Sequence, residues 1–109
     1  MQTVTLTNEQ IAALGIKECK PVQGTFFKIG VAYLIRCVTN YWTGRVVGIT
    51  DTEILLEDAA WIADTGRFSD AIKTGKFNEV EPVGGETIVA RGAIVDAIKW
   101  PHDLPLEQV

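Results

Sequence analysis

A chain of 109 residues, 47% hydrophobic and 22% charged, has the material for one core and one domain spanning 1–109. No apolar run approaches the roughly 18 residues of a membrane span, and "MQTVTLTNEQ" lacks a basic, greasy leader, so the expected address is the cytoplasm. Ten bases against fourteen acids leave a net charge of −4, which excludes a general nucleic-acid coat or a binder of long double-stranded DNA, because such binding neutralises phosphates with Lys and Arg.

The first expected element is a helix over 8–14. Thr7 is placed to cap it, Gln10 completes a capping box, and Leu6 and Ile11 occupy the positions of a hydrophobic staple. Gly15 supplies the left-handed residue that ends it. After Pro21 the pattern turns to β. "GTFFKIGVAYLIRCVTN", "YWTGRVVGIT" and "EILLEDAAWIA" are rich in aromatic and β-branched residues, and Asp51-Thr52 is a tight polar turn between the last two. Gly44 lies inside the second strand, where glycine marks a sharp bend or a close backbone approach.

Residues 64–78 break the strand rhythm. Phe68, Ala71 and Ile72 have helical spacing, with Asp64 or Thr65 as cap and Gly75 as terminator. "NEVEPVGGETIVARGAIVDAIKW" then returns to β, with Gly84-Gly85 read as a two-residue hairpin turn. The tail, 101–109, is broken by proline and is expected to run extended along the surface. The pattern as a whole predicts a mainly β fold: a small, strongly bent barrel of five strands within 24–62 and 79–100, an N-terminal helix, and a short helical insertion between strands 3 and 4.

Two stretches resemble the Sm-like (LSm and bacterial RNA chaperone) family. "GRVVGITDTEILLED", residues 44–58, is similar to that family's first motif, with a glycine at the bend, an aspartate at the turn and a Leu-Leu strand. "ARGAIVDAI" is similar to the Arg-Gly pair of the second, with Val95 and Ile98 at the apolar positions that follow. The resemblance implies that Arg91-Gly92 forms the turn joining the last two strands, with Gly92 permitting it and Arg91 facing a pore. It also implies that the strand after it, with Ala93, Ile94, Val95 and Ile98, pairs with a neighbouring subunit in a ring. The chain departs from the pattern in two places. It has no base-holding asparagine after Asp51, and it carries a long acidic insertion, 60–87. A generic SH3-like barrel is the structural alternative. "YLIRCVTN" and "AAWIADTGRFSDAI" are more loosely similar to small phage-encoded proteins of unknown function, which implies a phage or other mobile element as source.

Residues able to do chemistry are few. Ser69 is the only serine and His102 the only histidine, in segments of unlike character, so a nucleophilic triad is not expected, and His102 reads as a solvated tail residue. Cys19 and Cys37 form no C-x-x-C and read as reduced structural residues; no metal-ligand spacing, phosphate loop or cofactor motif is present. Glu57-Asp58 and Glu79/Glu81 read as solvated strand faces, and Arg36 and Arg45 as surface charges. The set Tyr41, Trp42, Trp61, Arg67 and Phe68 offers aromatic faces and a guanidinium, the groups that stack on bases and bind phosphate. The expectation is a non-enzymatic, homo-oligomeric binding module without metal or cofactor. Its ligand would be a small nucleotide or short single-stranded RNA held by Arg91, Gly92, Tyr41, Trp42, Trp61 and Arg67. The alternative is a protein-interaction or virion-assembly component with no small ligand.

Overall fold

Alternation of side chains across a pleated backbone lets one strand feed two apolar layers. In β1 (Ala32–Cys37), Tyr33, Ile35 and Cys37 enter one layer while Leu34 enters the other. The computed structural model describes residues 24–109; the expected helix over 8–14 and Cys19 lie outside them. Five more strands follow β1: β2 (Tyr41–Ile49), β3 (Glu53–Asp64), β4 (Glu79–Pro82), β5 (Thr87–Ala90) and β6 (Ile94–Lys99). One helix, α1 (Phe68–Thr74), lies between β3 and β4, at the place expected for the insertion. No helix among the described residues is long and apolar enough to cross a membrane.

All pairings are antiparallel. The order is β6-β1-β2-β3, with both β4 and β5 on the far edge of β3. The mainly β fold is as expected, but it has six strands where five were expected, and they form one sheet that does not close into a barrel. The difference arises at the 12-residue β3. Its first part pairs with β5 (Ile54 opposite Val89) and its last part with β4 (Ile62 opposite Val80). Residues 83–86 therefore interrupt an edge strand, and Gly84-Gly85 is not a hairpin turn. The sheet nevertheless curls, since Val89 of β5 and Ile94 and Ala97 of β6 pack against one inner cluster with Ile35, Val46, Ile54 and Leu56.

Two local devices bend it. Asp58 has a positive φ of 51°, and the register slips around it: Thr43 is opposite Ala60 but Arg45 is opposite Glu57. This extra residue is a β-bulge, which tightens twist. Opposite it, Gly44 lets the strands close up, because a Cβ there would stand 3.0 Å from Leu56 Cβ. The β2–β3 turn forms as expected: Thr50 N–H donates to the Glu53 carbonyl at 2.9 Å, and Thr50 Oγ1 accepts from Glu53 N–H at 3.0 Å.

The outer face carries a second cluster of Leu34, Ala60, Ile62, Ala71, Phe77, Val80 and Trp100. Ala71 of α1 and Trp100 cover it. Helix α1 ends at Gly75, left-handed at φ 77°, as expected. Neither Asp64 nor Thr65 caps it: Arg67 is the N-cap residue, and Asp64 Oδ1 instead accepts from Gly66 N–H at 2.8 Å in a local turn. The tail packs against the outer cluster and α1. Trp100 stacks on Phe77 at 5.2 Å, His102 meets Trp100 edge-on, and His102 Nε2 lies 2.6 Å from the Ile72 carbonyl. His102 is therefore half-buried and bound, not solvated. Val109 then bridges Val80 through backbone hydrogen bonds of 3.0 and 3.3 Å.

Candidate functional site

Arg91-Gly92 does form the junction between the last two strands. Arg91–Ala93 is a single 3-10 turn leading from β5 to β6. The Arg91 Nη1 donates to the Thr50 carbonyl at 2.6 Å and its Nη2 to the Gly24 carbonyl at 3.2 Å, while its backbone N–H donates to the Thr52 carbonyl at 2.8 Å. The residue thus ties three stretches of chain together. Gly92 has no positive φ, and a Cβ there would meet nothing within 4 Å, so this turn does not require glycine.

The expected aromatic set divides between two faces. Trp42 and Trp61 are directly opposite one another on β2 and β3. With its amide oxygen turned toward them, Asn40 accepts from both indole N–H groups, at 2.9 and 3.3 Å. Trp42 packs on the inner cluster, whereas Trp61 remains 41% exposed beside a cleft of about 290 Å³ at the β1–β2 hairpin. Tyr41 lies on the outer face, 6.4 Å from the ring of Phe68. Arg67 is exposed and reaches Asp70 only at 4.0 Å.

Tyr41 opens onto a feature that the one-dimensional pattern did not reveal. A groove of about 390 Å³ runs along the outer face, lined by Leu34, Arg36, Tyr41, Phe68, Asp96 and Ile98. Pairing of β1 with β6 places Leu34 opposite Ile98 and Arg36 opposite Asp96. Leu34 forms the buried floor, while Phe68 (48%) and Ile98 (39%) stay exposed. Arg36 Nε donates to Asp96 Oδ1 at 3.1 Å and Nη2 donates to Oδ2, a two-point contact. That hydrogen bonding, more than charge alone, raises the guanidinium above its ordinary value and holds the Asp96 carboxyl below its own. The i, i+2 spacing of Leu34/Arg36 and of Asp96/Ile98 was readable, but their adjacency depends on strands some sixty residues apart.

Arg45 is similarly engaged. Arg45 Nη1 donates to Glu57 at 2.9 Å and to Asp58 at 3.1 Å across the bulge, which raises its pKa, chiefly through the Glu57 bond. Every arginine of the chain thus has a partner. Burial raises the Cys37 thiol, and no cluster of three His, Cys, Asp or Glu able to hold a metal occurs among the described residues.

Of the expected interface residues, Ile94 is half-buried against the inner cluster, and Val95 is the extra residue of a register shift opposite Arg36/Cys37. One edge of β6 is taken by β1 of the same chain; the other, like the outer edge of β5, has no strand partner among the described residues. No family model, curated protein or solved structure matches this chain.

Proposed function

We propose that the protein is a non-enzymatic binding module that associates with copies of itself through the outer edges of β5 and β6, in the manner of an Sm-like or SH3-like barrel. One observation carries this reading: among the described residues both strands keep an unpaired edge, and each bears exposed apolar residues, Ile88 (64%) on β5 and Val95 (56%) on β6. Unpaired backbone donors and acceptors flanked by apolar side chains favour strand addition. The order β6-β1-β2-β3-β5 and the 3-10 turn at Arg91 support the barrel-like reading.

The ligand in this reading is a small nucleotide or short single strand, and exposed Trp61 and the aromatic groove support it. A second reading, an assembly or interaction component without a small ligand, draws support from the arginines, each of which already lies against a carboxylate or carbonyl of the chain. Light-scattering mass and native mass spectrometry test both. An oligomer dissociated by Ile88→Lys or Val95→Lys supports edge pairing, and a monomer across the whole concentration series refutes it. A co-purifying mass absorbing at 260 nm selects the nucleotide reading, and its absence from every preparation selects the second.

A further inference from the structure

The groove between α1 and the β6-β1-β2 surface combines two kinds of contact. Its floor and walls are apolar and aromatic: Leu34 beneath, Phe68 and Tyr41 on one side, Ile98 on the other. Its polar element is the Arg36–Asp96 pair. Flat faces beside a short polar edge suit a planar heterocycle better than a flexible chain, since rings stack at small conformational cost. The volume of about 390 Å³ lies at the small end of ligand pockets, suited to a base and too small for several.

The polar pair dictates the pattern of the ligand's edge. Asp96, ionised beside Arg36, only accepts hydrogen bonds. Arg36 only donates, and its N–H groups not directed to Asp96 have no partner among the described residues. The complementary edge carries adjacent N–H donors next to a carbonyl or ring-nitrogen acceptor. Guanine meets this with N1–H and the N2 amino group beside O6; adenine presents one amino group and no lactam.

We propose that this groove is a binding site for a guanine base, gripped by its edge and faces and not by its phosphate. Leu34 and Phe68 contact the ring, Asp96 accepts from N1–H and N2–H, and Arg36 donates to O6. This deepens the nucleotide reading above and rests on it. The phosphate contributes little, because the groove lining holds no lysine and its one guanidinium is directed to Asp96 and the base edge.

The test is calorimetric titration of the full chain with guanosine, guanosine monophosphate and adenosine, with amide shifts mapped by NMR. Guanosine and its monophosphate bind within about threefold of each other, adenosine binds roughly tenfold more weakly, and the shifts fall on residues 34–36, 68 and 96–98. Phe68→Ala and Asp96→Asn each weaken guanosine roughly tenfold. Both side chains are exposed, so unchanged circular dichroism separates lost binding from lost fold. Guanosine binding that both variants leave intact refutes the groove while the nucleotide reading stands. Binding of none of the three at millimolar concentration overturns the groove, and the co-purifying mass decides the nucleotide reading separately.

Discussion

Replacing Gly44 by alanine adds one methyl group at the tightest point of the curled sheet. The new Cβ would stand 3.0 Å from Leu56 Cβ, 3.2 Å from Cδ1 and 3.3 Å from Cγ. A rotamer change in Leu56 cannot relieve the first contact, because its Cβ is fixed to the β3 backbone. Leu56 is fully buried among Ile35, Val46 and Ile54, so the strand has nowhere to retreat. Overpacking of this kind costs about 1–3 kcal/mol. Against it stands the reduced entropy of the unfolded chain, about 0.4–1 kcal/mol in favour of alanine. The balance is a loss of about 0–2.6 kcal/mol across those ranges, centred a little above 1 kcal/mol, and at its centre it lowers the melting temperature by roughly 5–10 °C in a domain of this size. Thermal unfolding followed by circular dichroism reads it directly. Gly92→Ala is the internal control: it meets nothing within 4 Å and needs no left-handed backbone, so its melting temperature equals or exceeds that of the parent. Leu56→Ala combined with Gly44→Ala recovers part of the steric loss and is non-additive. A Gly44→Ala protein that melts no lower than the parent refutes the close-approach argument.

Arg91→Ala frees the Thr50 and Gly24 carbonyls and destabilises by about 1–2 kcal/mol in chemical denaturation, the range for a charged donor at a partly exposed site; Arg91→Lys recovers only part, having no fork to span both oxygens. Asp96, whose carboxyl is depressed by its hydrogen bonds to Arg36, contributes stability that is complete above the usual aspartate range and is lost as pH falls through its lower folded value. Melting temperatures measured downward from about pH 5 to pH 2 therefore fall less steeply in Asp96→Asn than in the parent; equal slopes would remove the pair from the account. Trp100→Ala strips the stacking partner of Phe77 and His102 and costs about 3–5 kcal/mol, with limited proteolysis cutting residues 101–109 well before the sheet; a tail that stays resistant would contradict the packing described.

Local chemistry makes much of this fold readable from the chain. Aromatic and β-branched runs mark β1, β2 and β3, Thr50 to Glu53 closes as the expected turn, and Gly75 ends α1 with the left-handed backbone that a terminating glycine implies. Gly44 is legible as a bend because a glycine inside a strand gives up side-chain packing, a loss that a close approach of neighbouring backbone offsets. The Arg-Gly turn between the final strands also falls at its expected position. These features depend on a residue and its near neighbours.

What escapes the linear reading depends on partners distant along the chain. Gly84-Gly85 looks like a hairpin until β3 is seen to extend through twelve residues and occupy both flanking strands. His102 looks solvated until the fold carries it under α1. The groove exists only because β6 returns beside β1, setting Arg36 against Asp96 and Leu34 against Ile98, while α1 brings Phe68 to Tyr41. Side-chain pattern along a strand specifies which face a residue occupies; which strand lies next to it is settled by the shared burial of both faces, and that is a property of the assembled sheet alone.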